Sequence, residues 1–226
     1  MIFKEVDFSM GNSYAILGLG SFGAKLAASL SRLGNTVLVC DIDPVRVDEM
    51  RDKVAEAVIA DVSNQEVVRD LGVHKFDVII LGMSSHFEDQ VLALTHLKQE
   101  GAKKIIAKAT TNVQERILYR LGADEVIQPE QDVAERLSRR LTWHNISDIF
   151  EFKGAAIAEV IVPQCLSGKT LLELDLRNRY NVTVLLLRKS GSSENMPTGP
   201  GTRLEKGDQV TVFGSRQAII DLFKEE

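Results

Sequence analysis

Gly18, Gly20 and Gly23 form a Gly-x-Gly-x-x-Gly turn that directly follows the apolar run Tyr14-Ala15-Ile16-Leu17 and opens an amphipathic stretch carrying Leu26, Ala27, Leu30 and Leu33. A strand, a tight turn and a helix in that order leave few folds open. The first glycine permits the turn, the second lets backbone approach a phosphate, and the third lets helix pack closely on strand. The helix N-terminus adds unpaired N–H groups and the positive end of its dipole, so a nucleotide phosphate is the expected guest. Ser21 and Phe22 lie within this turn. Asp41 ends the next apolar run, Thr36-Val37-Leu38-Val39-Cys40, and stands 18 residues beyond Gly23 (41 − 23). That is close to the ~20 expected of a carboxylate that accepts ribose hydroxyls.

Apolar runs and helical patterns then alternate, as in a parallel sheet covered on both faces. Strands are expected at Tyr14–Leu17, Thr36–Cys40, Ala57–Ala60, Asp77–Leu81, Lys104–Ala107 and Glu125–Ile127. Helices are expected at Phe22–Leu33, Pro44–Lys53, Asn64–Leu71, Phe87–Glu100 and Val113–Leu121, with Gly34, Gly72, Gly101 and Gly122 as stops. Right-handed crossovers predict a Rossmann-like, doubly wound α/β sheet of order 3-2-1-4-5-6, with its crevice at the switch between strands 1 and 4. Val133, Ala134, Leu137 and Leu141 continue as a crossover helix that leads out through Trp143-His144-Asn145. The domain boundary is therefore drawn at 142/143.

The remaining 143–226 read as a smaller α+β domain. Its expected strands are Ala156–Val162, Val182–Arg188 and Asp208–Gly214, its helix is Gln217–Phe223, and exposed loops fall at Gly191–Ser193 and Pro197–Gly201. The 226 residues are 44% hydrophobic and 26% charged, a globular composition with enough chain for a core. A net charge of −5 gives no long-range attraction for nucleic acid. No apolar run approaches the ~20 residues of a membrane span, and Met1–Asp7 do not read as a signal peptide, so a cytoplasmic location is expected. Cys40 and Cys165 read as unpaired thiols, with Cys40 buried in its strand.

The order of motifs resembles the RCK (KTN) domain family, cytosolic regulatory subunits of Ktr and Trk potassium transport systems and gating modules of some potassium channels. The likeness is carried by Gly-x-Gly-x-Phe-Gly, Val-Cys-Asp41-Ile-Asp43-Pro44, Ala60-Asp61-Val62-Ser63, Leu71-Gly72-Val73, Ala107-Lys108-Ala109, Leu121-Gly122-Ala123-Asp124 and Pro129-Glu130. It continues in Leu166–Tyr180 and Leu204–Gly214 of the second domain, and covers Ser13 to Phe223.

The resemblance implies a non-enzymatic gating subunit that binds ATP or ADP, or a dinucleotide such as NAD or NADH, and forms homodimers assembled into an octameric ring beneath a membrane potassium-transporter subunit. It implies ribose binding by Asp41, with Asp43 the better cap for the helix from Pro44. Asp61 either borders the adenine or caps the following helix, and Lys108 either approaches phosphate or is a solvated strand-end lysine. Glu130 either helps hold a divalent cation such as Mg or Ca or favours a helix N-terminus. Ser21 stands where relatives commonly carry Arg, a loss of charge that leaves the choice among ATP, ADP and NAD open. In the second domain Leu171, Leu172, Asp175, Leu176, Arg177 and Tyr180 either receive cyclic di-AMP or form a short packed helix.

Gly82-Met83-Ser84-Ser85 lacks a nucleophile elbow, and His74, His86, His96 and His144 have no metal-ligand spacing. His86 either meets ligand or is an exposed helix start. Arg136, Arg139 and Arg140 either face a partner or form a solvated helix face. The competing reading is a small NAD-dependent oxidoreductase, sharing the same turn and Asp41 but without an evident proton donor.

Overall fold

A computed structural model describes residues 12–83, 86–142 and 145–223. Ser84, Ser85, Trp143, His144, the amino-terminal residues read above and the side chain of Arg139 lie outside the described part. Two compact units divide between Asp132 and Val133, inside the helix that the sequence reading assigned whole to the first domain.

In the first unit β1 (Ser13–Leu17), α1 (Ser21–Arg32), β2 (Thr36–Asp41), α2 (Pro44–Asp48), β3 (Glu56–Ile59) and α3 (Gln65–Asp70) are followed by β4 (Val78–Leu81), α4 (Phe87–Gln99), β5 (Ile105–Lys108), α5 (Asn112–Arg120) and β6 (Glu125–Ile127). Helix α6 (Pro129–Thr142) then leads into the second unit. All pairings are parallel and the sheet order is β3-β2-β1-β4-β5-β6, as the crossover rule predicts. Alternate residues of each strand feed opposite faces. Leu17, Cys40, Leu81 and Ala107 join Leu94, Leu97 and Leu118 of α4 and α5 on one side. Ile16, Val39 and Ile80 join Ala27 and Val47 of α1 and α2 on the other. Burial on both faces is why these strands read as unbroken apolar runs.

Carboxylates staple the amino ends of the strands. Asp77 accepts from the Ser13 N–H and hydroxyl at 2.9 Å each and from Lys103 Nζ at 3.1 Å, tying the entry of β4 to β1. Asp124 accepts from the Ile105 N–H at 2.7 Å and from Lys98 Nζ at 3.1 Å, tying β6 to β5. Helix α2 ends at Asp48 rather than Lys53, its last expected turn being irregular.

At the carboxyl end the turn after β1 is packed almost without tolerance. Gly18 has φ +101°, and a Cβ there would lie 2.6 Å from the Met83 nitrogen. A Cβ on Gly23 would lie 2.0 Å from the Gly18 carbonyl oxygen, so only glycine lets α1 close onto β1. Gly82 reinforces this from β4, where a Cβ would meet the same oxygen at 2.9 Å. Gly20, in contrast, faces open space.

The second unit contains β7 (Ile146–Phe152), β8 (Ala155–Ile161), α7 (Leu171–Leu174), α8 (Leu176–Tyr180), β9 (Thr183–Arg188), β10 (Met196–Pro197), β11 (Gln209–Gly214) and α9 (Arg216–Phe223). Its antiparallel sheet has the order β10-β9-β11-β8-β7. One face is buried: Ala156, Ala158 and Val160 of β8 and Val210 and Val212 of β11 pack with Ile219, Ile220 and Phe223 of α9. Strand β7 was not anticipated, since a bulge between Ile146 and Asp148 breaks its alternation and its Phe150 and Phe152 are exposed. Strand β10 likewise falls where loop was expected, Pro197 being tolerated at the sheet's edge.

Gly23→Ala should lower stability by about 1–3 kcal/mol in urea titrations, because the clash is with backbone, whereas Gly20→Ala should stay within about 0.5 kcal/mol. Hydrogen bonds from Ser13 and Lys103 hold the Asp77 carboxyl down at about 2 against an ordinary 3.8. Its contribution is complete above pH 3.8 and is lost as pH falls through about 2. The urea midpoint of Asp77→Asn should therefore fall less than that of the parent across that window; equal slopes would contradict the staple.

Candidate functional site

The strands' carboxyl ends meet a cavity of about 470 Å³ at the switch between β1 and β4. Strand order arranges its groups: Asp61 just beyond β3, Asp41 ending β2, Gly18 after β1, Met83 after β4 and Lys108 ending β5. At ~4.8 Å between strands, the three intervals from β2 to β5 put the ends of those two strands about 14 Å apart. Carboxylates thus lie on one flank and an ammonium on the other.

Asp41 is 9% exposed and both of its oxygens are engaged. The Leu19 N–H donates to Oδ2 at 2.5 Å and the Asp43 N–H to Oδ1 at 2.9 Å, so this carboxylate clamps the loop after β1 to the loop after β2. Asp43 caps α2, accepting from the Val45 N–H at 2.9 Å ahead of Pro44. Arg46, one turn into α2, reaches Asp43 at 3.3 Å and Asp41 at 3.8 Å. Asp61 accepts from the Ser63 N–H and hydroxyl at 2.9 and 2.7 Å, while Asn64 caps α3 by accepting from the Glu66 N–H. Capping of that helix is therefore not the role of Asp61.

Helix α1 starts at Ser21 with Gly20 as its N-cap, no side chain capping it and no acid in its first turn. Its positive end is left for an outside acceptor. Helix α4 carries Glu88 and Asp89 in its first turn.

Lys108 is not a solvated strand-end lysine. It is 7% exposed, its Nζ donates to Glu130 Oε1 at 2.5 Å, and it stands 5.9 Å above the centre of the Phe22 ring. Buried Gln90 fixes the strand end by donating to the Lys108 carbonyl at 2.8 Å. The Lys108 hydrogen bond holds the Glu130 carboxyl below the usual carboxylate range. Glu130, read in the sequence as a candidate cation ligand, is here the partner of Lys108, and among the described residues no group of three or more metal-ligating side chains assembles.

Of the expected residues, Gly18, Gly20, Ser21, Phe22, Asp41, Asp43, Asp61 and Lys108 line the cavity. Gly23 lies beneath the turn as a packing residue. Exposed His86 also lines it, at the start of α4. Sequence reading missed Arg46, Val62, Met83 and Asp89. Arg46 was discernible as the residue three beyond Asp43 on a helix opened by Pro44; Met83 and Asp89 gain access only because β4 lies beside β1. Cys40 also lines the cavity, but burial first, and then the Asp41 charge, push its thiol up to about 12, which makes it a poor nucleophile.

In the second unit the candidate messenger segment is divided. Leu176 is 4% exposed and packs in the core, and Leu171 packs against that core, so Leu176 is corrected from lining residue to core residue. Leu172, Asp175, Arg177 and Tyr180 face outward, with Asp175 at φ +45° joining α7 to α8. Thr170 and Glu173 form a capping box on α7.

The TrkA-N domain model matches residues 14–129 and the TrkA-C domain model matches residues 157–225. Ktr system potassium uptake protein C of Bacillus subtilis (strain 168) is 31% identical over 181 residues, covering 80% of this chain and 82% of that protein. Ktr system potassium uptake protein A of Vibrio alginolyticus is 30% identical over 212 residues, covering 93% and 96%. Among solved structures the GsuK channel has a TM-score of 0.68 at 19% identity, and the GsuK channel bound to NAD 0.64 at 18%; each likeness covers 98% of this chain but 41% of the channel chain. This chain thus spans less than half of those channel chains, and at such identity the likeness is one of fold. With both domain models matched in order and Ktr relatives aligned along most of their length, the chain belongs to the TrkA-N/TrkA-C family of RCK-domain proteins and is a homologue of the Ktr potassium uptake proteins.

Proposed function

We propose that this chain is the nucleotide-binding regulatory subunit of a potassium uptake system, in which ligand exchange in the first unit changes the shape of an assembly that controls a membrane transporter. One observation carries the binding half: a single cavity joins the uncapped start of α1 to the clamped Asp41 and to the buried Lys108. That arrangement suits an adenine nucleotide whose ribose donates to Asp41 and whose phosphates lie over Gly20 toward Lys108. ADP, ATP and NAD share these parts, and NAD is the ligand named for a GsuK structure. Ser21 brings a hydroxyl and no charge to the phosphates, which places most of the cationic attraction on Lys108.

The transporter half rests on the Ktr likeness. In this reading the chain forms homodimers that close into an octameric ring at the inner face of the membrane, held there by its partner; among the described residues no helix is long and apolar enough to cross a membrane. Gating needs the ligand to favour one ring shape over another. Binding without turnover is the proposed role. In the second unit, outward-facing Leu172, Arg177 and Tyr180 are proposed to meet cyclic di-AMP.

Calorimetry with ATP, ADP, NAD, NADH and cyclic di-AMP, each with and without Mg, combined with small-angle scattering of the assembly, tests the proposal. Binding of an adenine nucleotide with a change in scattering profile is expected. Silence toward every nucleotide, or one profile in all conditions, would refute it. Asp41→Asn keeps the side chain's volume and one carbonyl acceptor for the loop, and should weaken adenine-nucleotide binding by about tenfold or more. Unchanged affinity with an intact circular-dichroism spectrum would remove Asp41 from the ribose site.

A further inference from the structure

Lys108 is both the cation of the cavity and the anchor of α6. It lies almost wholly inside the protein, yet the carboxylate it pairs with, Glu130, is 67% exposed and is the second residue of that helix. From Val133 onward α6 belongs to the second unit. The 2.5 Å contact therefore ties the wall of the cavity to the first turn of the segment by which the chain passes from one unit to the next. Nζ also stands 5.9 Å from the ring of Phe22, itself in the first turn of α1. Any phosphate drawn to the start of that helix comes within the neighbourhood of the same ammonium.

Building on the nucleotide-binding reading above, we infer that a bound phosphate and the Glu130 carboxylate compete for Lys108, so that an incoming nucleotide displaces Glu130 and releases the first turn of α6. The physical basis is that, among the described residues, Arg46 and Lys108 are the Lys and Arg side chains lining the cavity. Arg46 is committed to Asp41 and Asp43 on the ribose flank, and Ser21 contributes no charge. A buried ammonium needs a counter-charge, so Lys108 exchanges one anion for another and is not left without one. The exchange converts occupancy into a local change at the head of α6 and ranks ligands by phosphate charge: a terminal phosphate displaces Glu130 more effectively than the diester of a dinucleotide. By linkage, whatever holds Glu130 on Lys108 weakens phosphate binding to the same extent.

Glu130→Gln removes the competing charge and keeps the shape. In EDTA, which excludes any bridging divalent cation, it should bind ADP about three- to tenfold more tightly than the parent. The gain should vanish for adenosine, which has no phosphate, and in a Lys108→Met background. Amide exchange at residues 130–135 should quicken when ADP binds the parent and should already be fast in nucleotide-free Glu130→Gln. Equal or weaker ADP binding by Glu130→Gln in EDTA, an equal gain for adenosine, or a gain that survives Lys108→Met would overturn the inference while leaving the nucleotide site standing. Failure of parent and Glu130→Gln alike to bind any adenine nucleotide would overturn both.

Discussion

The approach of Gly23 to the Gly18 carbonyl is the contact on which the rest of the first unit turns. It lets α1 sit directly on β1, which points the helix's first amides into the crevice instead of at a capping side chain. With Gly18 against Met83 and Gly82 against Gly18, three glycines draw β1, β4 and α1 into one knot at the topological switch. Asp41 completes it by accepting backbone N–H groups from both neighbouring loops. The carboxylate proposed to accept from ribose is thereby oriented by the fold itself.

Charge is distributed to match. The β3 and β2 ends carry Asp61, Asp41 and Asp43, with Arg46 turned onto the last two, so this flank is rich in acceptors and already self-neutralised in part. The β5 end carries Lys108 paired with the exposed Glu130. Of the helices that start beside the cavity, α1 has no capping side chain and no first-turn acid, α2 is capped by Asp43, and α4 has Glu88 and Asp89. An anion is consequently guided to α1 and discouraged from α4.

Much of this was legible in the chain. Strands buried on both faces announce themselves as continuous apolar runs between glycine-stopped helices, and the spacing from Gly23 to Asp41 is a local property of the chain. What was not legible depends on neighbours distant in sequence. Lys108 and Glu130 are 22 residues apart and meet only because β6 pairs with β5 and delivers α6 beside it. Met83 and Asp89 reach the cavity through the pairing of β4 with β1. In the second unit β7 escaped because a bulge and two solvent-facing phenylalanines erase the alternation that marks a half-buried strand. For Leu176 the sequence left a ligand contact and a packed helix both open, and only the fold, which buries it in the core beyond the positive-φ Asp175, separates the two.

The two cysteines give the molecule an internal chemical reporter. Cys40 is buried near the carboxyl end of β2, on the wall of the cavity, with its thiol raised to about 12, while Cys165 is exposed in the other unit. An alkylating reagent reaches the second at once and the first only when the cavity wall around the end of β2 loosens, so the lag between the two modifications reads out how often that wall opens.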